Sequence, residues 1–208
     1  MFTASPPLEF GTIPRPAFGR DAQHLPPHAT PLKAKAEAKY RRAAKTAAEL
    51  LPELPERGEV VHALMTGSYD LCQVITTTVP RLPSLRHLRI ATLCYSKRNV
   101  VELCGLLDIR KGMALTLLVS AFHREHNKEL HEWATGELTA FPNVKLAAAR
   151  THCKVVCFDI AKDDAMVFEG SANLRSNRNR EQLSVFRDIK LHDWHCSWID
   201  EMVSQDDG

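Results

Sequence analysis

The chain has 208 residues, 44% of them apolar and 25% charged, with a net charge of +2 when histidines are neutral. That length suits one well-buried core with appendages. The near-balanced charge excludes a whole-molecule attraction to nucleic acid or to anionic lipid, so any such attraction must come from local patches. No stretch is long and apolar enough to span a bilayer, and no apolar run follows a basic N-terminus as a secretory signal would, so no membrane association is expected. The six cysteines, at 72, 94, 104, 153, 157 and 196, are scattered and several sit in apolar runs. They read as buried thiols in a reducing compartment, and a cytoplasmic location is expected.

Residues 1–31 hold seven of the twelve prolines and predict an extended or disordered arm. Residues 32–51, rich in alanine and long straight side chains and closed by Pro52, predict the strongest helix of the chain, the core of a basic segment over 32–55. Between Lys33 and Lys45 it carries six cations against the single acid Glu37, a pattern able to lie along a phosphate backbone or to form a solvated face.

From residue 56 to residue 205 the pattern is that of a single domain. Short apolar runs at 60–65, 88–95, 114–122 and 144–149 predict strands. Helical stretches at 69–79, 99–107 and 125–141 lie between them. A hairpin is expected with strands at 154–160 and 165–169 and its turn at 161–164. Another strand at 183–186 and a helix at 191–203, with Trp194, Trp198 and Ile199 on one stripe, close the fold before a polar tail at 204–208. Alternating strands and helices predict an α/β layer structure with a mixed, largely parallel sheet flanked by helices. Chemistry in such sheets gathers beyond the carboxyl ends of strands. That rule points to 95–98, to His123 and Arg124, and to Thr151 and His152.

The chemistry-bearing residues concentrate in 152–182. His152, Lys154 and Asp159 read H-x-K-x4-D, Gly170, Ser171 and Asn173 read G-S-x-N, and Glu181 follows. A strand period of two puts His152 and Lys154 on one face and turns Cys153 with Cys157 toward the core. The imidazole is suited to attack phosphorus, and the ammonium, hydroxyl and amide to hold the non-bridging oxygens. Glu181 is suited to hold the imidazole in one tautomer. None of these groups requires a metal. Arg175, Arg178 and Arg180, with Lys97 and Arg124 at strand ends, form a candidate clamp for the flanking phosphates of a polymer.

These residues resemble the phospholipase D superfamily, strongly over about 144–188 and in element order from about residue 58. The resemblance implies that His152 is a nucleophile forming a phosphohistidine. It implies that Lys154, Ser171 and Asn173 bind the phosphate, that Glu181 hydrogen-bonds the histidine, and that no metal or other cofactor takes part. Asp159 belongs to the motif by position and is expected to be structural. Ten residues separate Asp159 from Gly170, where the family has about six, and a longer hairpin turn at 161–164 is the expected accommodation. The family site uses two motif copies and this chain has one, which implies a homodimer sharing the site across a two-fold axis. The function so implied is a phosphodiesterase acting on nucleic acid, with DNA favoured. A catalytically inactive DNA-binding module and a lipid phosphodiesterase are the alternatives. Two histidine clusters, at 123, 126 and 131 and at 192, 195 and Cys196, invite a zinc reading, but neither has the spacing of a known helical zinc site.

Overall fold

A computed structural model describes residues 31–175 and 179–206, with side chains from residue 38 onward. The proline-rich arm, Pro31 apart, and Arg178 lie outside the described residues. Helix α1 (Pro31–Leu50) starts at the proline, which fits a first helical position because no N–H is needed there. Ala43, Ala47 and Leu51, four residues apart, are buried, and Lys39, Arg41, Arg42 and Lys45 are exposed.

The sheet contains β1 (Val60–Met65), β2 (His87–Thr92), β3 (Ala114–Ser120), β4 (Val144–Ala149), β5 (Val155–Ala161), β6 (Asp164–Gly170) and β7 (Glu181–Phe186). Its order is β1-β7-β6-β5-β2-β3-β4. The sheet is mixed, as expected, but its parallel part is confined to β2-β3-β4, and every other pairing is antiparallel. The reason is chain economy. Helices connect the first strands and force parallel crossovers, whereas the tight β5–β6 hairpin can only return antiparallel.

Helices α2 (Leu71–Thr78), α3 (Lys97–Ile109), α4 (Ala121–His126), α5 (Lys128–Thr139) and α6 (Ile189–Ser204), with a 3-10 turn at Val79–Arg81, complete the described elements. The main core lies between one sheet face and α1, α2, α3 and α5. Helix α6 covers the other face over Ala91, Leu118, Ala147, Val155, Cys157 and Val167.

Several boundaries differ from expectation for local reasons. Asp70 caps α2 in a reciprocal capping box with Gln73, so Tyr69 stays outside the helix. Ser96 does the same for α3 with Asn99, ending β2 before the 93–96 loop. The single helix expected over 125–141 is two, divided at Asn127, whose backbone leaves the helical region at φ −135°. Phe122, expected in a strand, belongs to α4 because the Ser120 hydroxyl accepts from its N–H and starts the helix there. The tail is not wholly free: Asp206 accepts from Ala148 N at 2.6 Å and from Arg124.

The long spacing between Asp159 and Gly170 is accommodated differently from the expectation. The turn is only Lys162 and Asp163, and the extra residues lengthen the β5–β6 ladder, with a register shift between Asp159 and Ala161. The added length therefore falls at the end of the hairpin remote from His152.

Candidate active site

Strand β5 runs antiparallel to β2, so its start lies beside the carboxyl ends of β2, β3 and β4. The end of β6, the start of β7 and the end of β1 reach the same rim. Lys154 just before β5, Gly170 at the end of β6 with Ser171 just after it, and Glu181 at the start of β7 therefore stand at three neighbouring strand ends, each step about 4.8 Å. Backbone bonds fix the arrangement: Gly170 N donates to Lys154 O at 3.3 Å and Ser171 N to Gln182 O at 3.0 Å. Glu181 pairs with Met65 on β1. Gly170 has a physical reason to be glycine, because a Cβ there would overlap the Gln182 carbonyl oxygen of β7.

His152 is exposed and lies in the non-strand segment 151–154. This corrects the strand alternation expected there, and Cys153 is exposed instead of turned to the core. The topology gives the cause. From β4 to β5 the chain must pass the ends of β3 and β2, about 14 Å at the usual strand spacing, in five residues. A crossing of that kind has no partner strand. Thr151 N bonds back to Ala149 O at 2.8 Å, and Cys153 N donates to Thr151 Oγ1 at 3.2 Å, which shape the turn. The Lys154 ammonium donates to the His152 carbonyl at 2.7 Å and steadies the segment that carries the imidazole.

The Ser171 hydroxyl donates to Glu181 Oε2 and accepts from Gln182 N at 2.9 Å. Glu181, expected to hold His152, accepts a bond from Ser171 across the ends of two adjacent strands. Asn173 is half-buried, and its Oδ1 accepts from Leu93 N at 3.2 Å. Thr92 Oγ1 accepts from Leu174 N at 3.2 Å. These two bonds dock the G-S-x-N turn against the end of β2. The hydroxyl of Thr92, on a strand that reads as simple core, gave no signal of that role in the sequence.

Asp159 is not brought to this rim. It lies at the other end of β5, on the order of 20 Å away by strand rise, where its carboxylate accepts from Arg86 Nη2 at 2.6 Å and its carbonyl from Arg86 N at 2.8 Å. Its place is that of a structural anchor for the β5–β2 edge.

The candidate phosphate clamp divides. Arg175 is exposed on the rim, near enough for its charge to act on both His123 and Cys94. Lys154 also acts on Cys94, although burial, the larger effect, raises that thiol. Arg180 is exposed just before β7. Lys97 is exposed at the start of α3, with its ammonium 4.7 Å from the Trp133 ring centre. Arg124 is the exception to the expected clamp: Nη1 donates to Asp206 at 2.9 Å, which ties it to the chain end. Arg178 lies outside the described residues.

Behind the rim, beyond β3, His123 is 2% exposed and Tyr95 0%. Their rings meet edge-on at 4.5 Å, and Tyr95 Oη bonds His131 Nδ1 at 2.9 Å. Burial, then the charge of Arg175, holds His123 down to about 4, so its ring is neutral. Asn127 Nδ2 donates to its Nδ1 at 3.3 Å. On the other side, Met65, Gly67, Tyr69, Asp70, Ala172, Asn173, Arg175 and Glu181 line a narrow recess. Burial, then Glu102, raises Asp70 in its wall to about 6. The 67–70 wall is absent from the candidate residues of the sequence, where 69–79 reads only as a helix. Among the described residues no group of three or more His, Cys, Asp or Glu side chains is arranged to hold a metal ion. No described helix is long and apolar enough to cross a membrane.

No family model matches the chain, and no curated protein matches it. Among solved structures it is similar to a polyphosphate kinase from Porphyromonas gingivalis, at 9% identity and TM-score 0.49 over 67% of this chain and 25% of that one. It is similar to a phosphatidylserine synthase from Haemophilus influenzae, at 12% identity and TM-score 0.47 over 72% and 40%. It is also similar to the yeast tyrosyl-DNA phosphodiesterase, at 14% identity and TM-score 0.39 over 61% and 31%. The matched region thus spans well under half the length of each.

Proposed function

We propose that the chain is a phosphodiesterase that works without a metal, cleaves DNA, and completes its site by pairing with a second copy. The observation that carries this reading is the gathering of His152, Lys154, Ser171, Asn173, Glu181 and Arg175 at one rim, from the crossing segment, the turn after β6 and the start of β7. An exposed imidazole has access to a substrate phosphorus. Attack forms a P–N bond as the P–O bond to the leaving group breaks. The leaving oxygen takes a proton from the second copy's histidine. Water then attacks the phosphorus, the P–N bond to His152 breaks, and the water's proton passes to the second copy's histidine, which restores both copies. Lys154, the Ser171 hydroxyl and the Asn173 amide N–H groups supply the donors for the charge that builds on the phosphoryl oxygens. The exposed Arg175 and Arg180, and the exposed cations of α1, favour a polyanion over a lipid headgroup.

One observation favours a second reading, a module that binds DNA without cutting it. The ammonium of Lys154 is engaged by the His152 carbonyl and the hydroxyl of Ser171 by Glu181. Both must release to meet a phosphate.

Supercoiled plasmid incubated with the protein in excess EDTA separates the two. Nicking or linearisation that persists under chelation and vanishes in His152→Ala supports the enzyme. DNA retained in a gel shift, with no cleavage at any protein concentration or pH, leaves only the binding module. Light scattering tests the shared site, since an active monomer contradicts it.

A further inference from the structure

Away from the rim, between β5 and α6, the structure holds a polar device that the proposed phosphodiester chemistry does not use. Cys157 on β5 is 0% exposed and Cys196 on α6 is 9% exposed, and the two belong to one buried cluster between the sheet and the helix. The Cys196 sulfur lies 3.4 Å from His192 Nε2, and His192 Nδ1 lies 2.9 Å from Asp193 Oδ1. All three residues are on one helix, at i, i+1 and i+4, so the carboxylate fixes the ring and the ring faces the sulfur. Arg89 on β2 stands directly opposite Cys157 in the register, with its guanidinium held by two bonds to Asp200 at 2.9 and 3.0 Å. The cluster that holds the two cysteines also contains the apolar side chains of Ala91, Leu118, Val155, Val167 and Ile199.

Two thiols that merely filled the core would need none of these groups. We propose that Cys196 and Cys157 form a peroxide-reactive dithiol, in which Cys196 is the attacking sulfur, Cys157 the resolving one, and the product a disulfide joining α6 to β5. The electrostatics agree in direction. The hydrogen bond from the Cys157 thiol, then His192, draws Cys196 below the usual thiol range against its burial. The same bond to Cys196 and burial push Cys157 up. Burial lowers His192, but its bonds to Cys196 and Asp193 outweigh that and leave it raised. Low-pKa thiolates next to a second thiol are the ones oxidised first.

The chemistry balances with a hydroperoxide as the only added reactant. The Cys196 thiolate attacks one peroxide oxygen. An S–O bond forms, the O–O bond breaks, sulfur is oxidised by two electrons, and the departing oxygen takes the His192 proton. The Cys157 sulfur then attacks Cys196. The S–S bond forms, the S–O bond breaks, and hydroxide leaves with the Cys157 proton as water. A small oxidant suits the narrow exposure of Cys196, and the wholly buried partner shields the sulfenic acid from further oxidation. By contrast Cys153, the exposed cysteine beside His152, has no thiol partner among the described contacts.

The experiment is peptide mass mapping of the intact chain after titration with hydrogen peroxide, with free thiols alkylated under acid. The expected product is one cross-linked peptide pair containing Cys157 and Cys196, two hydrogens lighter, formed about tenfold sooner than oxidation of Cys72, Cys94, Cys104 or Cys153. In Cys157→Ser, Cys196 should be trapped as a dimedone adduct, and His192→Asn should slow its formation. Oxidation of Cys153 to completion while Cys157 and Cys196 remain alkylatable overturns the proposal. So does a disulfide between any other pair. The wild-type map alone decides, so a variant that folds poorly leaves the answer intact. The result is independent of whether the rim cleaves DNA.

Discussion

The two ends of β5 carry the two halves of one sequence motif and do different work. At one end His152 and Lys154 lie on the same rim as Ser171, Glu181 and Arg175. At the other end Asp159 is bound to Arg86 and faces none of them. Residues seven apart on a helix would share a face, but here most of β5 runs between His152 and Asp159 and sets them at opposite ends of the strand. A motif written as one line is therefore a site at one terminus and an anchor at the other.

The sharpest way to test that division is to remove each end in turn. His152→Ala should lower cleavage by at least about 10³-fold and leave thermal stability within about 0.5 kcal/mol, since the side chain is exposed. Gly170→Ala should break the rim by geometry rather than chemistry. The added methyl meets the Gln182 carbonyl of β7, and a cost of about 2–4 kcal/mol in urea unfolding is expected, with activity lost alongside. Ser171→Ala keeps the backbone and removes only the hydroxyl that holds Glu181, so about 10²-fold should be lost with little change in unfolding.

A pH series adds a different cut. His87 and His123 are both held down to about 4, by burial first and by Arg89 and Arg175 next. Depressed imidazoles contribute stability that is whole above about 6.5 and lost as pH falls toward 4, because the unfolded chain takes up the protons first. Asp70, raised to about 6 by burial and Glu102, acts in the opposite sense, and its contribution disappears as pH rises through 6. The melting temperature should therefore fall between pH 6.5 and 4 by about 5 °C or more, and His123→Gln should flatten part of that fall. The smallest effect belongs to the other end of β5. Asp159→Asn should change cleavage by less than about twofold, and stability by less than about 1 kcal/mol because Arg86 is largely exposed. A catalytic loss as large as that of His152→Ala would erase the distinction between the two ends.

Much of the fold was legible because periodicity and punctuation agree in this chain. The runs at 60–65 and 144–149 match β1 and β4 residue for residue, and Pro52 and Pro142 stop helices as their missing N–H requires. What was not legible depended on pairs distant in sequence. Nothing local tells that β5 inserts beside β2, so neither the non-strand crossing at 151–154 nor the antiparallel majority of the sheet could be read. The fate of the long Asp159–Gly170 spacing was misplaced for a related reason, since a ladder can absorb residues as well as a turn can. At the site, residue types and spacing marked His152, Lys154, Ser171, Asn173 and Glu181. They could not mark Thr92 and Leu93, whose bonds to the G-S-x-N turn arise only from the sheet order. Arg124 read as a free cation because Asp206, its partner, lies 82 residues away.

The central claim is that the His152 end of β5 is the nucleophilic end. Its most direct test is to mix the protein with an internally ³²P-labelled DNA oligonucleotide in EDTA, stop the reaction in alkaline denaturant within a turnover, and map the labelled peptide. Label on the peptide containing His152, stable to base and released by acid, is the expected result. Turnover that proceeds with the label on Ser171, or with no protein-bound label at any time point, would contradict it.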